Sequence, residues 1–154
     1  MEFYSSSVIL GRDSLQIRVK VSYIAAERFW EQEQPTPGGV NISTNINIIG
    51  MEHKGAELSV PFVATIAYNP SIAQINIKGH AVLTGASEEL EQLKKDYEGK
   101  KTPPPMLLQA ITNTSLIEAT VISRTINVIP PVPLPSIQAA KPDKSDKERL
   151  NYVG

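Results

Sequence analysis

The chain has 154 residues, enough for one domain with its own hydrophobic core, and its 15 Lys and Arg against 16 Asp and Glu give a net charge of -1. This balance excludes the strongly basic composition that is typical of nucleic-acid-binding domains. Cysteine is absent, which excludes thiolate nucleophiles, disulfides and cysteine-ligated metals. Because His53 and His80 are the only histidines, we expect no metal site and no cofactor.

The N-terminal sequence shows no targeting signal. Its apolar run at 8–10 is too short for the core of a signal peptide, and no basic segment precedes it. Elsewhere no run approaches the roughly 18 apolar residues of a membrane-spanning helix. We therefore expect a cytoplasmic protein that does not insert into a membrane.

Two segments in the first third of the chain alternate between apolar and polar residues, as a half-buried strand does. The first is 14–25, whose apolar face consists of Leu15, Ile17, Val19, Val21 and Tyr23. The second is 40–50, where Val40, Ile42, Thr44, Ile46 and Ile48 lie opposite a face rich in asparagine. We predict one strand in each segment.

Two further strands are predicted over 58–68 and 72–84, joined by a tight reversal at Asn69-Pro70-Ser71. Strands this close along the chain pair antiparallel. Pro61 has no N–H to donate, which favours a sheet edge or the start of a strand at that point. The four strands in succession predict an antiparallel meander.

The pattern changes to a helical period after Gly85. Ser87 begins a predicted helix that ends at Gly99, and Pro105 begins a second, longer one. The β-branched residues of 111–129 leave a strand as the alternative, but helix is favoured because alternation fails there. We assign 1–137 to a single α+β domain, a four-stranded antiparallel sheet with two helices packed on one face. The segment 138–154 is predicted to be a charged, mobile tail.

The sequence contains no arrangement of residues that indicates catalysis. The strand segments 14–26, 40–50 and 58–84 contain no Asp or Glu, so they supply no carboxylate pair. Neither a phosphate-binding glycine loop nor a nucleophile elbow is present. We interpret His80 and His53 as surface histidines, and we predict that the protein is not an enzyme.

Phe29 and Trp30, the latter the only tryptophan, lie in the long connection between the first two predicted strands. One interpretation is structural: they cap the open end of the sheet. The other is functional: they line a groove that accepts apolar partners. The proline-rich run 130–135 leaves the same two possibilities open.

The order of these elements resembles the SecB export-chaperone family. The stretch 107–137 (LLQAITNTSLIEATVISRTINVIPPVPLPSI) resembles the passage from the long helix of SecB-like chains into an apolar, proline-bearing segment. The segment 25–35 (AAERFWEQEQP) is similar to the aromatic crossover between the first two strands of that family. One departure is that SecB proteins that dock on the SecA translocase have an acidic sheet surface, whereas these strands carry no acids.

The resemblance implies an ATP-independent chaperone that binds unfolded or partner polypeptides and assembles as a dimer or tetramer. Some SecB-like relatives serve toxin–antitoxin systems. Such a protein needs exposed apolar walls, for which we predict Phe29, Trp30, Met51 and Met106. The alternative hypothesis is a non-catalytic scaffold that binds one fixed protein partner through the same surface.

Overall fold

The computed structural model describes residues 7–10, 15–31, 38–100 and 102–132. Its strands are β1 (Ser7–Leu10), β2 (Leu15–Arg28), β3 (Asn41–Ile48), β4 (Glu52–Lys54), β5 (Glu57–Asn69) and β6 (Ala73–Thr84), and its helices are α1 (Ser87–Lys100) and α2 (Pro105–Thr125). All four predicted strands and both helices are present, and 111–125 is helical rather than extended. The predicted tail at 138–154 lies outside the described residues.

The strands form one antiparallel sheet in the order β1-β2-β6-β5-β3, with β4 beside the first part of β5. The predicted meander is therefore wrong, because β2 pairs with β6, the last strand, and not with β3. The connection after β2 must therefore pass β6 and β5 to reach the opposite edge of the sheet, where β3 begins. Alternation fixes which residues form strands, but it does not fix which strands become neighbours.

Pro61 lies inside the 13-residue strand β5, neither on an edge strand nor at a strand start. Its missing N–H is tolerated because of where it points. On one side Pro61 faces His80 of β6, and on the other its carbonyl accepts a hydrogen bond from the Ile49 N–H (2.9 Å), just past the end of β3. The missing donor therefore faces Ile49, so the reciprocal bond to the Ile49 carbonyl cannot form, and the pairing of β3 with β5 ends at Ile48.

A β-bulge interrupts β2 between Val21 and Tyr23. Gly79 lies opposite, and a Cβ there would overlap the carbonyl oxygen of Lys20. The extra residue turns Tyr23 away from the helices, so that it faces Lys78 on the opposite side of the sheet. The prediction that Tyr23 shares a face with Val19 is wrong for this reason.

The core lies between one face of the sheet and the two helices. Every second residue of β5, from Leu58 to Tyr68, is at most 2% exposed. Residues of β2 and β6 on the same face of the sheet are buried with them. From α1, Leu90 is buried, and Leu93 and Tyr97 pack partly against the core. The sheet-facing side of α2 carries mainly small residues, which allow close approach of the helix: Ala110, Thr114, Ser115, Ala119 and Ser123.

Candidate functional site

Helix α2 covers the sheet unevenly, because it lies mainly over β2 and β6 and less over β5 and β3. Since β3 is also an edge strand, its helix-side residues are left half-buried (Ile42, Ile46 and Ile48), and Thr44 between them is exposed. Val40 extends this apolar strip at the start of β3 and also packs partly against the core. Trp30 lies at the same end of the sheet but just past β2, which β6 and β5 separate from β3. We call the strip formed by Val40, Ile42, Thr44, Ile46 and Ile48 the β3 groove.

Arg28 holds the segment that follows β2 in place. Its Nε donates to the Trp30 carbonyl (2.8 Å) and its Nη2 to that of Glu31 (3.4 Å). Its Nη1 donates to the carbonyls of Ile126 (3.5 Å) and Asn127 at the C-terminus of α2. A cation is favourable at the C-terminus of α2, because the last carbonyls of a helix have no partner within it and the helix dipole is negative at that end. One side chain thus links the crossover after β2 to the end of the long helix.

Tyr68 makes a second link at the same end. Its hydroxyl donates to the carbonyl of Ile129, so the chain leaving α2 is held over the end of β5. Burial raises the pKa of the Tyr68 hydroxyl above its ordinary value of 10.0, which keeps it a donor at physiological pH. The side chain of Ile129 remains 44% exposed beside this contact.

The outer edge of β3 is the other unusual feature of this region. No described strand pairs with it, so its backbone donors and acceptors are open along 41–48. The strand contains no proline and no charged residue, which are the usual protections of an exposed edge. An unprotected edge beside an apolar strip is suited to an extended polypeptide, because the backbone pairs with the edge while side chains contact the strip.

The crossover aromatics Phe29 and Trp30 lie on different sides of the end of β2. Trp30 packs partly against the core on the helix side, just past the end of β2. Phe29 is 49% exposed and borders a depression of about 330 Å³ whose other lining residues are Ala25, Ala26, Glu27, Gln74 and Asn76. Trp30 is therefore half-buried at the end of the sheet, and its part in a groove for apolar partners stays a prediction.

The two predicted methionines lie elsewhere. Met51 is 6% exposed and belongs to the core, so it does not form part of the exposed apolar surface that was predicted for it. Met106 is 51% exposed at the start of α2, a helix of 21 residues and thus about 30 Å long, whose far end is the one that Arg28 binds. The structure does not bring the four predicted residues together. Polypeptide binding by them stays a prediction.

Sequence reasoning missed the β3 residues that form most of the groove. Ile42, Ile46 and Ile48 were assigned to an ordinary dry strand face, since alternation cannot show how far a helix covers it. One signal was present in the sequence: 40–50 lacks any charged residue. An uncharged strand is a usual feature of a sheet interior, so its position at an edge becomes informative only once the strand order is known.

The described residues hold no metal-binding cluster, and none of the helices among them is long and apolar enough to cross a membrane. His53 lies in the short strand β4 rather than in a loop, and it is exposed. His80 is half-buried on the sheet face away from the helices.

Comparison with known proteins gives one informative result. No protein-family model matches the sequence, and no curated protein matches it. The structure is similar to that of Rv1957, a SecB-like chaperone of Mycobacterium tuberculosis solved in complex with a ChAD peptide from the Rv1956 HigA1 antitoxin. The match has a TM-score of 0.55 and 11% sequence identity, and it covers 82% of this chain and 93% of that chain. The chain thus has the SecB-like α+β fold that its sequence pattern predicted.

Proposed function

We propose that this protein is an ATP-independent chaperone-like protein that binds unfolded or partner polypeptides in extended form along the β3 groove. The observation that carries the proposal is the coincidence of two features on one strand. The helix side of β3 is apolar but only half-covered, and its outer edge is unpaired by any described strand and uncharged. Each feature alone favours aggregation. Together they allow an extended polypeptide to pair with the edge of β3 as an added strand.

The contacts available in the groove favour breadth over sequence specificity. Backbone hydrogen bonds along 41–48 would be the same for every client, and the apolar strip offers surface without a charged anchor. Trp30, at the same end of the sheet as the start of β3, would add aromatic surface for a client that extends past the groove. Binding of this kind uses no cofactor and no chemical step, so we also propose that the protein is not an enzyme.

The alternative, a scaffold with one fixed partner, is supported by a different observation. The structural neighbour Rv1957 was solved with a peptide from one named protein, an antitoxin. A scaffold would use the same groove but would reject unrelated unfolded chains. The number of different clients accepted therefore separates the two functions.

We further propose that the protein forms a homo-oligomer through the free part of β2. The short strand β1 pairs only with residues 15–18 of β2, and no other described strand covers that side of residues 19–28. Along this stretch Tyr23 is 49% exposed on one face of the sheet and Ile24 is 37% exposed on the other. A second copy pairing there would continue the sheet and cover both side chains.

Aggregation suppression by a matched pair of variants tests the groove. Two unrelated, chemically unfolded proteins are diluted into buffer with the wild type, Thr44→Glu or Ser43→Glu, and light scattering is followed. Both positions are exposed on β3, but Thr44 faces the groove and Ser43 faces the opposite side of the sheet. Both variants add the same charge to the same edge strand, so only the face differs. We expect Ser43→Glu to suppress aggregation of both clients and Thr44→Glu to lose most of this activity.

Three outcomes would count against this account. Equal activity of the two variants would remove the groove from the mechanism. Suppression of neither client by the wild type would favour the scaffold. A monomeric mass by light scattering after chromatography, unchanged by Ile24→Lys, would overturn pairing through β2.

A further inference from the structure

The sheet face opposite the helices carries an uneven distribution of charge. On β2 and β6 this face presents Arg18, Lys20, Lys78 and His80, and β3 contributes only amides and a hydroxyl: Asn41, Ser43, Asn45 and Asn47. Described acids on the face lie towards its ends, at Glu27, Glu52 and Glu57. The middle of the face therefore has positive groups and uncharged polar groups but no carboxylate.

The two lysines of this face have the spacing of alternate side chains in an extended chain, because Lys20 and Lys78 are diagonal neighbours across the β2–β6 ladder, about 7–8 Å apart. Lys20 lies directly opposite His80 across the β2–β6 ladder, which puts their Cβ atoms about 5 Å apart. Lys78 lies two residues from His80 on the same side of β6, about 7 Å along the strand. We call Lys20, Lys78 and His80 the basic face. Carboxylates on alternate residues of an extended peptide also repeat at about 7 Å.

These charges are not neutralised within the described part of the chain. Lys20 and Lys78 are exposed, and no described carboxylate forms an ion pair with either. Lys78 instead lies over the Tyr23 ring, with its Nζ 5.0 Å from the ring centroid, and this contact holds the ammonium near the middle of the face. Next to it, Thr65, Gln74 and Asn76 form a hydrogen-bonded amide and hydroxyl row.

We propose that the basic face docks an extended acidic segment of a partner polypeptide. Its carboxylates on alternate residues would meet the ammonium groups of Lys20 and Lys78, and its backbone would meet the polar row beside them. A polypeptide fits better than a nucleic acid, because two closely spaced ammonium groups on a chain of net charge -1 give little attraction for a long polyanion. The docking surface is separate from the β3 groove, since it lies on the other side of the sheet.

Binding of a defined peptide tests the proposal. The probe is a 12-residue, fluorescein-labelled peptide of alternating Glu and Ser, titrated with the full chain by fluorescence anisotropy at low and at high salt. We expect saturable binding that weakens as salt screens the charges. The double variant Lys20→Glu/Lys78→Glu is expected to weaken binding by about tenfold or more, because two attractions become repulsions.

The matched control is Lys94→Glu/Lys95→Glu on α1, which changes the net charge by the same amount at a different surface. We expect this control to leave peptide binding unchanged. Circular dichroism and urea unfolding check that both double variants remain folded. Equal weakening by the two double variants would overturn the proposal. Equal binding of a Lys-Ser peptide, or tighter binding of a 12-nucleotide single-stranded DNA that depends on Lys20 and Lys78, would also overturn it.

Discussion

Strands β5 and β3 alternate in the same way, but only β5 is sealed against the helices. The helix-side residues of β5 are 0–2% exposed, whereas Ile42, Ile46 and Ile48 of β3 remain half-buried and Thr44 is exposed. The difference lies in the position of each strand in the sheet, because β5 has neighbouring strands on both sides, whereas β3 is an edge strand and α2 lies mainly over β2 and β6. A core strand and a candidate binding strand thus share one sequence pattern, and the strand order separates their roles.

The largest effect is expected from truncating one apolar side chain in each strand. Phe62→Ala in β5 should lower the free energy of unfolding by about 3–5 kcal/mol, because it leaves a cavity in a fully buried site. Ile46→Ala in β3 should cost about 1 kcal/mol, because its side chain is already partly hydrated. Urea unfolding followed by circular dichroism measures both. Similar costs would mean that β3 is covered as fully as β5.

A second contrast uses two glycines. Gly79→Ala should destabilise the chain by roughly 1–3 kcal/mol, since the new Cβ would overlap the Lys20 carbonyl at the bulge. Gly50, just beyond β3, has no atom within 4 Å of an added Cβ. Gly50→Ala is therefore the control, and its midpoint of urea unfolding should stay close to that of the wild type. An unchanged free energy of unfolding for Gly79→Ala would contradict the close approach of β2 and β6 at the bulge.

The smallest expected effect concerns Glu118 on α2. Burial raises the pKa of its carboxyl above the ordinary value of 4.5. The native state then binds this proton more tightly than the unfolded state, so ionisation costs stability above pH 4.5 and the cost disappears as the pH falls.

Glu118→Gln should therefore raise Tm at pH 7.5, by on the order of 1 °C because the carboxyl is partly solvated, and the gain should shrink towards pH 4. Glu91→Gln on the exposed side of α1 is the matched control and should show no such trend. Scanning calorimetry at both pH values measures the difference. A gain that grows as the pH falls would contradict the assigned sign.

Local pattern predicted most of the fold. Alternation located the four long strands, and helical spacing correctly favoured helix over strand for 111–125, where β-branched residues are frequent. Two predictions failed for non-local reasons. The strand order depends on a crossover that no local period records, and the face of Tyr23 depends on a bulge that accommodates Gly79.

The candidate site was harder to predict than the fold. A lone tryptophan in a connection is conspicuous in the sequence, and Trp30 is half-buried at the end of the sheet, so its role in binding stays a prediction. Met51 is predicted from its flexible side chain, but burial is set by what packs on a residue, and Met51 is in the core. The groove residues of β3 could not be recognised, because their exposure results from the position of β3 at the edge of the sheet, which depends on the strand order.

The most direct test of the central claim uses Trp30, the only tryptophan of the chain, as a reporter at the end of the sheet where β3 begins. An unfolded, reduced and alkylated protein that lacks tryptophan is titrated into the wild type, Thr44→Glu and Ser43→Glu, and emission is recorded on excitation at a wavelength selective for tryptophan. We predict a saturable change in Trp30 emission for the wild type and Ser43→Glu, and none for Thr44→Glu. A change of the same size and midpoint in Thr44→Glu as in the wild type would contradict the account, because it would place binding outside the groove.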